Sequence, residues 1–196
     1  METQERKKEI IKTVFKLIYE QGTAEFTIKN ISKSIGISEP AIYRHFNSKH
    51  DILCAIIDEV CSLWEKNWDF VMQTYESELE RLIQFYIYRA KEFDSFPWYS
   101  IIMFPEIIFA GSAELMGKVL QMMENNKTRH LSLIHSLQER GVLTSDVTAV
   151  HVFTMLTGGF RLLVSRWSLQ RSLGSTAVLQ AETRDFITST VRLLSV

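Results

Sequence analysis

Proline and glycine are scarce in this chain, which holds three of one and eight of the other in 196 residues. That scarcity excludes a turn-rich sandwich or barrel and leaves little room for long structureless loops. Cysteine is scarcer still. Cys54 and Cys61 stand seven apart on what reads as one helix, about 10 Å along the axis and beyond disulfide reach. They are expected as small buried hydrophobes in a reducing compartment. Uninterrupted apolar runs are missing too. Ile101–Ala110 is broken by Pro105 and Glu106, and Val150–Val164 by Arg161, so no membrane span is expected. The first residues, METQERKKEII, lack the apolar core of a signal peptide. The expected location is cytoplasmic, in association with the nucleoid. Net charge is -1, from 22 Lys/Arg and 23 Asp/Glu, so no global charge announces a polyanion or a membrane surface as partner.

What is present is a globular, helical composition, 46% hydrophobic and 23% charged. The charge is unevenly spread. Residues 1–50 carry nine Lys/Arg against six Asp/Glu, and 51–196 carry thirteen against seventeen, so a basic head (+3) precedes an acidic body (-4). Ile11, Val14, Phe15 and Ile18 recur at the spacing of one buried helical face, and Gly22 stops that helix. Thr27 is a good N-cap for a short second helix with Ile28, Ile31 and Ile35 inward, and Gly36 ends it. Ser38 is expected to cap a third helix, which tolerates Pro40 in its first turn. Ser48 and Asp51 form a capping box for a long fourth helix running past Trp64 and Trp68. Further helices are expected over Glu76–Phe93, Ala113–Arg140, Asp146–Leu169 and Ala177–Leu194, with a Pro-interrupted region over Ser95–Ala110. The fold class is therefore all-α. A three-helix head over 1–48 precedes a larger helical body over 49–196, with the long fourth helix as the joint.

A helix, a four-residue turn and a second helix within twenty residues is a helix-turn-helix, whose second helix can enter the major groove of DNA. At about 100° per residue, Ile42 and Phe46 share the inner side, Pro40 and Arg44 the opposite one, and Tyr43 and His45 flank them. Arg44 suits base edges, guanine above all, while Tyr43 and His45 suit phosphate oxygens. Thr27 and Lys49 sit at helix starts, where free amides attract phosphate.

The run TIKNISKSIGISEPAIYRHFNSKHDIL resembles the DNA-binding segment of the TetR family of transcriptional regulators. The resemblance is carried by Thr27, Ile31-Ser32, Gly36-Ile37-Ser38, Ile42-Tyr43, His45-Phe46 and Lys49. Ile35 and Ser32 depart from it, standing where the family often has alanine. Within the family, Ser38-Glu39 followed by Ala41-Ile42-Tyr43-Arg44-His45-Phe46 is similar to the branch containing the nucleoid occlusion protein SlmA. The resemblance implies that Glu39, Pro40, Ala41 and Arg44 face bases and that Thr27, Tyr43, His45 and Lys49 hold phosphates. Ser38 would act as cap and contact. It also implies a repressor that binds a palindromic operator as a homodimer, through helices near 146–169 and 177–194, and leaves it when a small hydrophobic effector binds the body. The SlmA likeness implies an alternative, a body that docks a protein partner.

Trp64, Trp68, Phe85, Tyr88, Trp98, Met103, Phe104, Glu106, Phe153 and Phe160 are the candidates to line an effector pocket, since aromatic and methionine surfaces suit flat or flexible apolar ligands. The same residues at helical spacing also suit a plain core. Glu106 could orient a ligand, pair with Arg161 or face water. Gly158-Gly159, inside an expected helix, signals a close helix approach, a kink or space for a ligand. Signals for catalysis are poor. GSAELMGKV mimics a phosphate loop, but its glycines are one residue too far apart and Val119 replaces the needed Ser or Thr. His130 and His135 are off a shared face, and H-E-x-x-H and G-x-S-x-G are absent. No enzyme activity, metal or cofactor is expected.

Overall fold

Each helix begins and ends where a local device satisfies its loose backbone groups. The computed structural model describes residues 3–109 and 111–196, with the side chains of Thr3, Glu106 and Ile107 outside the described set. Helix α1 (Thr3–Gln21) buries Ile10, Ile11, Val14, Phe15, Leu17 and Ile18. Helix α2 (Ile28–Ile35) is capped by Thr27, whose hydroxyl accepts from the Asn30 amide at 3.1 Å. Gly36 ends it in the left-handed region at φ 77°, where both its own amide and that of Ile37 reach the Ser32 carbonyl. Only glycine enters that region without a Cβ penalty. Helix α3 (Glu39–Tyr43) follows, with Ser38 at its N-cap position. The expected Ser38 cap bond is not made, so that hydroxyl is left for another partner.

Helix α4 (Lys49–Thr74) opens on the capping box. Ser48 Oγ accepts from the Asp51 amide at 3.1 Å, and the Asp51 carboxylate accepts from Ser48 Oγ and the Asn47 amide. Helices α5 (Glu78–Ser95), α6 (Pro105–Phe109), α7 (Ala113–Glu139), α8 (Ala149–Ser172) and α9 (Leu179–Leu194) complete the order, with a 3-10 segment over Pro97–Met103. Among the described residues, β geometry is limited to one isolated bridge between Leu143 and Ser195. The all-α expectation is met. The starts of α5 and α8 fall two to three residues later than expected because Ser77 and Thr148 act as caps, accepting from the Glu80 and His151 amides.

The chain forms two compact units. The first is Met1–Ser62 with Trp98–Leu120, and the second is Leu63–Pro97 with Gln121–Val196. Helices α4 and α7 each run from one unit into the other. In the first unit, α2 packs on α1 and α3, enclosing Ile31, Ile42 and Phe46. In the second, α9 packs on α5 and α8. Leu179, Thr183, Ile187, Val191 and Leu194 form its inward stripe. Gly159 of α8 lies under the Phe186 ring of α9, where a Cβ would collide. Gly158 has nothing within 4 Å. Close helix approach therefore explains Gly159 and not Gly158.

Candidate nucleic-acid interface and body interior

In the first unit, the short α3 is anchored from below by Ile42 and Phe46 and presents an outward strip. Tyr43 is 48% exposed, and Glu39, Pro40 and Arg44 are also exposed. Among the described residues, no carboxylate lies within ion-pair reach of Arg44, so its guanidinium is available to an external acceptor. Arg44 lies just past α3, but its amide bonds to the Pro40 carbonyl and those of His45 and Phe46 to Ile42. The helical path thus continues to Phe46 and keeps Pro40 and Arg44 one above the other. Thr27 and Lys49 are exposed at the starts of α2 and α4. The Lys49 ammonium rests 4.3 Å from the centroid of Phe26, which restrains a long side chain that would otherwise wander.

Two expected contacts are placed differently. Ala41 is only 9% exposed, and its methyl packs inward instead of joining a base-facing strip. His45 is half-buried, with Nδ1 buried and unpartnered among the described residues. The helix period gives the reason, since Ala41 and His45 are four apart and flank Ile42 on the inner side. The cysteines are half-buried, not buried. Cys54 Sγ accepts from Lys118 Nζ at 3.4 Å. His50, Cys54 and Glu114 bring one ligand-type atom each within 4.8 Å of one another. The Lys118 ammonium also reaches Glu114 at 3.2 Å, so the group is already tied together by a cation of the chain itself.

The aromatic candidates divide between the units. Trp98, Met103 and Phe104 belong to the first, where Lys16 lies 4.6 Å over the Trp98 ring. The side chain of Glu106 lies outside the described residues. Trp64, Trp68, Phe85, Tyr88, Phe153 and Phe160 belong to the second unit. Four of these six gather around two residues that the sequence did not single out as lining, His130 and Tyr86. His130 touches Phe85 at 4.5 Å, Trp68 at 5.1 Å and Phe153 at 5.5 Å, and Tyr86 touches Phe160 at 5.6 Å. Trp64 joins through Arg89, whose guanidinium carbon is 5.0 Å from the Trp64 ring and 5.7 Å from Phe85. Tyr88 stands apart, paired with Phe70 at 4.6 Å.

This aromatic interior holds polar groups that sequence reasoning missed. Arg89 is 3% exposed. Glu92 Oε2 reaches Arg89 Nε at 4.0 Å and also accepts from Asn67 Nδ2. Tyr86 Oη and Thr157 Oγ1 share a hydrogen bond of 2.9 Å. Burial pushes Arg89 down to about 10, against the pull of Glu92. It raises Glu92, against Arg89 and the Asn67 bond. Burial also pushes His130 down to about 4, so its imidazole is neutral at pH 7. The His130 Nδ1 lies 2.9 Å from the Asn126 carbonyl. A carbonyl can only accept, so Nδ1 carries the proton and Nε2 bears the lone pair. A sequence signal was available. Leu82, Phe85, Tyr86, Arg89, Ala90 and Phe93 share one buried stripe, and a charge in such a stripe is a buried charge.

Residues 10–56 match the family model described as bacterial regulatory proteins, tetR family. Over 79 residues, the chain is 35% identical to the HTH-type transcriptional regulator TtgR of Pseudomonas putida. That match covers 40% of this chain, which spans only 36% of the relative's length. Among solved structures, the MbdR regulator from Azoarcus sp. CIB superposes with a TM-score of 0.82 at 18% identity, covering 100% of both chains. FadR from Bacillus subtilis in complex with stearoyl-CoA gives 0.78 at 16% identity, over 94% of this chain and 97% of the other. Likeness at such low identity speaks for the fold alone. Residues 10–56 are thus similar to the tetR family of bacterial regulatory proteins, and the fold is shared with these solved structures over nearly the whole length of the chain.

Proposed function

We propose that the chain is a sequence-specific DNA-binding transcriptional regulator, a homodimeric repressor released from a palindromic operator by a small hydrophobic effector. One observation carries the reading: a short helix rigidly seated on Ile42 and Phe46 turns Pro40, Tyr43 and Arg44 outward. Arg44 reads a base edge while Tyr43, Thr27 and Lys49 clamp the backbone. Ser38, whose hydroxyl makes no cap bond, adds a contact at the start of α3. Ala41 and His45 support the strip from inside. Residues 1–48 serve as the reading head and 49–196 as the effector-binding body.

Dimerisation fits the outer face of α8. Met155, Leu162 and Leu169 are exposed apolar residues spaced seven apart, the repeat of a helix-packing seam. Gly158 lies in the same stripe, where a missing side chain admits a second helix. The effector reading rests on the aromatic interior of the second unit. One structural neighbour, FadR of Bacillus subtilis, was solved with stearoyl-CoA, and the acyl part of that molecule has the apolar character this interior suits. The unpartnered polar groups among these rings favour a small ligand over the alternative of a docked protein. The test is selection of bound fragments from the source genome with the purified dimer. Recovery of a shared inverted repeat is the expected result, and failure to enrich any DNA would overturn the reading.

A further inference from the structure

Among the buried polar atoms of the second unit with no hydrogen-bond partner in the described residues are Arg89 Nη2, Trp64 Nε1 and His130 Nε2. These three are not scattered. The Arg89 guanidinium lies over the Trp64 and Phe85 rings, and the His130 ring also contacts Phe85. Leaving a buried donor unmade costs more than a typical bond contributes, and more again for a charged one. Glu92 does not meet this need. It approaches Arg89 only at Nε, at 4.0 Å, and shares the same oxygen with Asn67. A guanidinium offers five N–H groups in a planar fork, and Nη2 of this one is buried without a partner beside the Trp64 and Phe85 rings.

We propose that this interior binds the carboxylate of an amphiphilic organic acid, with Arg89 as counter-ion, the Trp64 indole N–H as second donor and the surrounding rings holding the apolar part. The proposal rests on the effector reading above and narrows it to a chemical class. Two donors of this kind, one charged and one neutral, match the acceptor oxygens of a carboxylate, and a low local dielectric strengthens both bonds. His130 Nε2 is an acceptor in the tautomer set by Asn126, so it serves a ligand hydroxyl and not the carboxylate. Trp68, Phe85 and Phe153 supply flat apolar walls next to these polar groups.

The test uses the full chain in two arms, ligand binding without DNA and release of bound operator DNA by the same compounds. Benzoate, 1-naphthoate, octanoate and decanoate are titrated beside the corresponding alcohols, with binding read by calorimetry and by tryptophan fluorescence. Acids are expected to bind roughly tenfold or more tightly than their alcohols, the margin of a charge-assisted contact. Arg89→Gln should erase that margin and leave alcohol binding nearly unchanged. Trp64→Phe keeps the ring and removes the N–H, so it should weaken acids several-fold and alcohols hardly at all. Circular dichroism and melting of each variant report the fold, and if Arg89→Gln does not fold, Trp64→Phe decides. Equal binding of acids and alcohols, an acid preference that survives the substitutions, or no acid binding at millimolar concentration would each overturn the proposal. DNA release by the alcohols alone would sink the acid class and leave effector release standing. Acid binding without any change in DNA affinity would do the reverse.

Discussion

At the scale of single residues, one strip and one interior carry the proposed function in different ways. Arg44→Ala should weaken operator binding by roughly 1–3 kcal/mol and relax preference at one base position. Competition binding on operators substituted base by base checks this, and an equal loss on every sequence would move Arg44 to the phosphate class. Tyr43→Phe should weaken all sequences alike, because a phenolic hydroxyl on phosphate carries no base information. His130 sets a pH dependence of stability. Its pKa is about 4 when folded, against an ordinary value of 6.5, so between those values the unfolded chain binds more protons. Stability is then fully present above pH 6.5 and falls as pH drops towards 4, by roughly 3 kcal/mol. Glu92, raised by burial, gives the opposite slope as pH rises through its own range. Comparing urea unfolding of the wild type and His130→Leu isolates the His130 share, and an unchanged slope in the variant would contradict it. The outward strip was legible from helical spacing because Ile42 and Phe46 declare the inner side. Ala41 was not, because a methyl group is equally at home on either face. Arg89 went unread because charged residues on amphipathic helices usually face water, although its place in the Leu82–Phe93 stripe argued otherwise.

Individual elements show how local chemistry placed the helices and where distant contacts took over. Thr27, Gly36 and the Ser48–Asp51 box act within a few residues, so the head could be read closely from sequence. Helix α9 is different. Its N-cap position is Val178, which offers no side-chain acceptor. The Asp94 carboxylate of α5 fills that role, accepting from the Leu179 and Gln180 amides at 2.9 Å each. A carboxylate at a helix N-terminus is favourable twice over, as acceptor and as countercharge to the dipole. No sequence pattern joins residues 85 positions apart. Asp94→Ala should therefore lower unfolding stability by about 1–2 kcal/mol, read by urea denaturation, and no loss would remove it as the cap. The paired glycines of α8 separate in the same manner. Gly159→Ala forces a methyl into the Phe186 ring, an overpacking cost of about 1–3 kcal/mol that exceeds the gain of roughly 1 kcal/mol in helix propensity. Gly158→Ala meets nothing within 4 Å among the described residues, so the propensity gain alone should raise the stability of the monomer.

For the whole molecule, the opposite behaviour of Gly158 in an assembly is the informative case. Exposed large hydrophobics are common on any surface, but Met155, Leu162 and Leu169 repeat every seven residues on one helix, with Leu162 69% exposed. No described part of the chain covers that seam, whereas the inner stripe of the same helix, Val152 to Trp167, is already fully used against its own unit. A helix that is apolar on two faces needs two partners. Under the proposed function, a second copy related by a two-fold axis would supply the missing one and set two reading heads at a fixed spacing, which a palindromic site requires. Leu162→Arg places a charge in the seam without touching the inner face. The variant should remain helical and melt near the wild-type temperature, yet sediment as a monomer and lose most of its operator affinity, since a single head makes half the contacts. Gly158→Ala should show the split in milder form, a stabler monomer with a weaker dimer. A Leu162→Arg protein that remains dimeric and binds DNA normally would place the dimer contact elsewhere. It would also return the seven-residue seam to ordinary surface.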